Sequence, residues 1–125
     1  KINGLNEDRR LVASEDYDCW IRISKLTDKF KYIPEILGYY SLGTNNTTNA
    51  NLSLTYLKYI NKLHIAKFIK NNNLEQPIWW LYSYARALYL TGDSQNAINL
   101  LKKLTKRRIS FIIRLKCYYM MLIKK

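Results

Sequence analysis

Apolar and polar positions follow two rhythms along this chain, and the change falls near residue 50. Residues 14–27 repeat at helical spacing, with Tyr17, Trp20, Ile21 and Ser24 on one face at i, i+3, i+4 and i+7. This face predicts a helix pinned against a core, with Ser14 in the capping position before it. Phe30 to Ile33 reads as a short strand stopped by Pro34, Ile36 to Leu42 as a second, and residues 43–51 as a polar loop. From Leu52 the helical period returns. Leu52, Tyr56, Tyr59, Ile60, Leu63 and Lys67 mark a stripe to about Lys70, and Asn71-Asn72-Asn73 ends it. Pro77 opens another helix that Gly92 closes, Ser94 caps one to about Thr105, and Ile109 to Ile123 supports the last. The expectation is an α+β chain, predominantly α-helical: one helix and two short strands, then a helical tail of about four helices.

Charge divides the chain at the same place. Residues 1–50 carry seven Lys/Arg and seven Asp/Glu, whereas 51–125 carry fourteen against Glu75 and Asp93 alone, so the whole net charge of +12 belongs to the second half. Residues 1–50 and 51–125 are therefore read as two regions. With 125 residues, 48% of them hydrophobic, the chain can bury one modest core. Cys19 and Cys117 both lie in apolar helical surroundings and are expected as buried, reduced thiols.

Chemistry concentrates in Ala-Ser-Glu-Asp-Tyr-Asp-Cys-Trp-Ile-Arg-Ile, residues 13–23. Glu15 and Asp16 stand at a helix start, where unpaired backbone N–H groups and the positive end of the helix dipole attract negative charge. A carboxylate on an anchored helix tip suits a base at the rim of a cleft. An ordinary capped helix has the same pattern, and spacing alone does not separate the two readings.

Ser14-Glu15-Asp16-Tyr17-Asp18-Cys19-Trp20-Ile21-Arg22-Ile23, then Lys31-Tyr32-Ile33-Pro34-Glu35-Ile36-Leu37-Gly38-Tyr39-Tyr40 and an Asn-Thr-rich loop, resembles the end of a family-2 glycosyltransferase catalytic domain. In that family a segment reading roughly E-D-Y-D-L-W-L-R-L precedes Y-I-P-E-x-L-x-Y-Y-R-x-H-x-x-N-x-S. The likeness covers about residues 1–48, with both blocks in order. It implies the acceptor-side end of a GT-A-like, inverting transferase, with the nucleotide-sugar-binding half and its metal-holding Asp-x-Asp lying before residue 1. Asp16-Tyr17-Asp18 belongs to the helix-start motif and does not supply that metal site.

The resemblance assigns Asp16 as the base that takes a proton from the acceptor hydroxyl, with Glu15 shaping its setting. Asp18, Trp20, Arg22, Tyr39, Tyr40 and Asn46 are its supporting motif positions. The residues themselves favour Trp20 as a core anchor and Arg22 as a surface or loop-binding residue. Tyr39 and Tyr40 alternate on a strand, one packed and one near the cleft. Where relatives carry Arg and His after the tyrosine pair, this chain has Ser41 and Gly43, which puts their metal contact in doubt. The resemblance implies a divalent metal, Mg or Mn, and a nucleotide-sugar donor in the parent enzyme, with neither bound by this fragment, which is expected to be inactive alone. The parent's acceptor would be a glycan, a lipid-linked saccharide or a protein, in bacterial surface polysaccharide synthesis. His64, the only histidine, is expected to pack or face solvent.

Residues 77–104 more weakly resemble one tetratricopeptide-like hairpin, with Ala85, Leu88, Gly92, Ala97, Leu101 and Leu104 at its packing positions. Along residues 102–125, cations interleave with Phe111, Tyr118, Tyr119 and aliphatic residues. This pattern suits an anionic membrane surface, a solvated basic face or nucleic acid, though no nucleic-acid motif accompanies it. The expected location is cytoplasmic, with the inner membrane face as a peripheral site. A non-enzymatic helical interaction module and a peripheral membrane-binding domain are the alternatives to the transferase.

Overall fold

The computed structural model describes residues 2–39 and 49–123. After a 3-10 turn, Arg9–Leu11, come α1 (Glu15–Ser24), α2 (Ala50–Ile60), a π-helical turn (Asn61–Ile65), α3 (Ala66–Asn71), α4 (Ile78–Leu90), α5 (Ser94–Thr105) and α6 (Phe111–Leu122). The chain is predominantly helical. No strand forms among the described residues: 27–39 run as irregular chain, with Phe30, Tyr32, Ile36 and Leu37 exposed. This corrects the expectation of strands at 30–33 and 36–42, as far as residue 39. A strand needs a partner's backbone groups, and the described remainder of the chain offers only helices.

Local chemistry sets the helix ends. Asn49 accepts from the Leu52 N–H, and Asp93, one residue before the expected Ser94, accepts from that of Asn96. Ser110 accepts from the Ile113 N–H to open α6. At the end of α4, Gly92 takes φ +91°, and the Asp93 N–H returns to the Leu88 carbonyl at 2.9 Å. Asn73 does the same for α3, with φ +50° and the Leu74 N–H on the Ile69 carbonyl.

Two apolar clusters meet along α4. One gathers Leu11, Leu57, Ile60, Ile65, Trp80 and Ala87, and the other Ala85, Leu101, Leu104 and Cys117. Ala85 and Ala97 are fully buried, so α4 and α5 pack closely as a hairpin, with α6 against α5. The Trp80 indole donates to the Leu57 carbonyl at 2.9 Å and stacks on Tyr84, joining α4 to α2. Cys19 and Cys117 are buried free thiols, and burial pushes the Cys117 thiol up.

Candidate functional site at the head of α1

The first turn of α1 divides its two leading carboxylates. Ser14 occupies the capping position, but its hydroxyl donates to the Leu11 carbonyl at 3.0 Å and caps nothing in α1. Glu15 turns back instead, accepting from the Ser14 N–H at 2.9 Å, and borders a hollow beside the N-terminal segment with Leu5, Asp8 and Leu11. Asp16 accepts from the Tyr17 N–H at 2.6 Å and faces a different hollow. The acidic pair adjacent in sequence thus serves two surfaces.

The hollow at Asp16 has a volume of about 490 Å³ and aromatic walls: Tyr17 and Trp20 from α1, Tyr56 from α2, and Trp79 from α4. Ser83 of α4 also lines it. Tyr17 meets Trp79 edge to face, centroids 5.5 Å apart, and burial pushes the Tyr17 phenol up. Trp20 is 58% exposed and Trp79 42%, so both offer ring surface to a ligand. This corrects Trp20 as a core anchor. The buried positions of α1 are Asp18 and Cys19, and Trp20 lies about 200° round the helix from Asp18.

A charged residue takes the inward place because partners meet it there. Asp18, 1% exposed, accepts from Arg22 Nε at 2.8 Å and lies 2.6 Å from His64 Nε2. Arg22 also donates to the carbonyls of Ile2 and Gly4, so it binds a loop. His64 Nδ1 stands 2.9 Å from Lys25 Nζ; an ammonium can only donate there, which leaves Nε2–H to donate to Asp18. His64 lies on the π turn, whose wider winding buries Ile65 in phase after Ile60 and exposes Leu63. Asp18 and His64 therefore tie α1 to the helical region.

A second tether lies nearby. Asp8 pairs with Arg10 and accepts from the Tyr59 hydroxyl at 2.9 Å, while the Arg10 guanidinium sits 4.0 Å over the Tyr59 ring. The Arg10 hydrogen bonds hold the Asp8 carboxyl well below the usual carboxylate range, and the bond to Asp8 raises the Tyr59 phenol.

Of the residues singled out in the sequence, Asp16 and Trp20 share the hollow, while Glu15, Asp18 and Arg22 stand elsewhere. Tyr39 is 98% exposed and outside it, and Tyr40 and Asn46 lie outside the described residues. Tyr56, Trp79 and Ser83 escaped sequence reasoning. The Trp79-Trp80 pair was the available signal, since neighbours on a helix face different ways and one tryptophan had to point outward. Among the described residues no group of three or more His, Cys, Asp or Glu could hold a metal ion. No protein-family model matches the chain, and neither a curated protein nor a solved structure does.

Proposed function

We propose that this chain is the acceptor-side end of a family-2-like inverting glycosyltransferase, with Asp16 as the general base. One observation supports the reading beyond the sequence motif. Asp16 opens onto a hollow walled by exposed tryptophans, and the C–H faces of a sugar ring pack well on indole rings while its hydroxyls reach polar atoms at the edge. The acceptor saccharide lies in this hollow, with one hydroxyl within about 3 Å of Asp16. Asp16 takes that proton as the oxygen attacks the anomeric carbon. The bond from that carbon to the diphosphate breaks on the opposite side, and the nucleoside diphosphate leaves with the electron pair. Strands beside 30–39 and the donor site belong to the rest of such an enzyme. Its divalent metal finds no ligand set among the described residues.

Incubated with nucleotide sugars and a divalent metal, the chain alone releases no nucleoside diphosphate; measurable release overturns its assignment to the acceptor side only. In an active transferase carrying this segment, Asp16→Asn lowers turnover about a hundredfold or more and leaves donor affinity unchanged. A variant retaining most of its turnover removes Asp16 from the base role.

A further inference from the structure

Helix α6 is apolar on both faces, and among the described residues only one of them is covered. Ile113, Cys117, Met120 and Met121 pack into the cluster with Ala85, Leu101 and Leu104. The opposite face carries Phe111, Leu115, Tyr118 and Leu122 at i, i+4, i+7 and i+11, with Ile112 and Tyr119 alongside. Phe111 is 78% exposed, Leu115 58% and Leu122 81%. Arg114 borders this stripe on one side and Lys116 on the other, both exposed, and Arg108 precedes the helix.

We infer that the outer face of α6 docks on an anionic phospholipid surface, lying in the plane of the interface. Apolar and aromatic side chains would enter the headgroup and acyl boundary while the flanking cations stay at phosphate level. Twelve residues span only about 18 Å, short of the roughly 30 Å of a bilayer core, and no described helix is long and apolar enough to cross a membrane. Charge selects this occupant over a second copy of the chain. Residues 51–125 carry all of the +12, and one of their two acids, Glu75, already pairs with Arg107. Self-association through α6 would bring like charges together, whereas anionic lipid neutralises them. The inference rests on α6 and not on the transferase reading.

Sedimentation with phosphatidylcholine vesicles, with and without phosphatidylglycerol, tests it. The chain pellets with the anionic vesicles, and salt weakens the binding. Leu115→Asp with Leu122→Asp, at exposed positions, lowers partitioning about tenfold or more with helicity unchanged by circular dichroism. Lys67→Ala with Lys70→Ala, the same change in charge on α3, lowers it only about twofold. Should the α6 variant lose its helicity, Phe111→Asp on the same stripe replaces it. Failure to pellet with anionic vesicles overturns the proposal, as does equal loss from the two double variants. Sedimentation velocity showing a dimer that the α6 variant dissociates assigns the face to a second copy. Binding of RNA or DNA that this variant abolishes, without vesicle binding, assigns it to nucleic acid; either result also overturns the proposal.

Discussion

The α1 region and the α4–α5–α6 region both bury apolar side chains, but only the first adds a set of charged tethers. Helix α1 and the turn before it pack Leu11, Tyr17 and Ile21 against the helical body and add polar and charged tethers to it: Asp8, paired with Arg10, to Tyr59, and Asp18, paired with Arg22, to His64. The α4–α5–α6 unit closes on small and aliphatic side chains, with Ala85, Ala97, Leu101, Leu104 and Cys117 all fully buried. Apolar packing is indifferent to pH and loses stability in proportion to the volume removed. Ionic tethers are directional, respond to pH, and leave unpaired charges when one partner goes. The first arrangement suits a scaffold, and the second fixes the direction of a helix tip bearing a carboxylate.

The comparison is tested hardest inside the hairpin. Leu101→Ala removes a fully buried side chain beside Cys117 and Leu104 and lowers stability by about 2–5 kcal/mol, read by urea unfolding. A loss below about 0.5 kcal/mol, the scale of a surface change, means that the cluster does not hold this half. Asp18→Asn keeps the shape at position 18 but removes the charge facing Arg22 and His64. It costs about 1–3 kcal/mol. Hydrogen exchange speeds up in α1 while α4 and α5 keep their protection. Equal loosening of both regions defeats the idea of separate tethering.

Much of the second region is legible in sequence because its rules are local. Pro77, Gly92 and Asn71-Asn72-Asn73 mark helix ends through backbone geometry that each residue carries with it. The first region depends on partners far along the chain. Apolar residues at 30–33 and 36–39 suggest strands, but alternation reveals nothing about whether a neighbouring strand is present. Tyr17, Trp20 and Ile21 share a helical face, yet Asp18 turns inward because the Arg22 guanidinium offsets its charge and His64 hydrogen-bonds it, and His64 is 46 residues away. The π turn that aligns His64 has no sequence signature, and it displaces the anticipated stripe after Ile60. Of the hollow, Asp16 and Trp20 could be found from the motif. Tyr56 and Trp79 arrive by tertiary packing alone.

Acid sharpens the contrast by acting on the ionic region first. The Asp8 carboxyl is held below its ordinary 3.8 by hydrogen bonds from Arg10, so its ionised form stabilises the folded state above that value. The contribution disappears as pH falls through the carboxylate range toward the lowered folded value. Asp8→Asn is therefore less stable than the natural chain at neutral pH, and the gap narrows below pH 3.8. The carboxylate is only partly buried and its Arg10 partner is exposed, so solvent screening keeps the gap small. A gap that widens on acidification reverses the sign and removes the tether from Asp8.

Trp20→Ala has the smallest expected effect on stability and separates scaffold from site most cleanly. Truncating a buried tryptophan costs about 3–5 kcal/mol, so a core anchor at position 20 would lower the unfolding midpoint plainly. At 58% exposure beside Asp16, Trp20 instead changes stability by about 0.5 kcal/mol or less. Its loss should be felt by a saccharide. Acceptor-type oligosaccharides that alter the fluorescence of Trp20 and Trp79 bind about tenfold more weakly to the variant, the scale of one lost aromatic contact. Buried Trp80 reports on the fold in the same spectrum, because its indole is held on the Leu57 carbonyl between α4 and α2. A shifted Trp80 signal or a large stability loss returns Trp20 to the core. Unchanged saccharide affinity in a stable variant leaves the hollow without its aromatic platform, and the acceptor reading loses the observation that supports it.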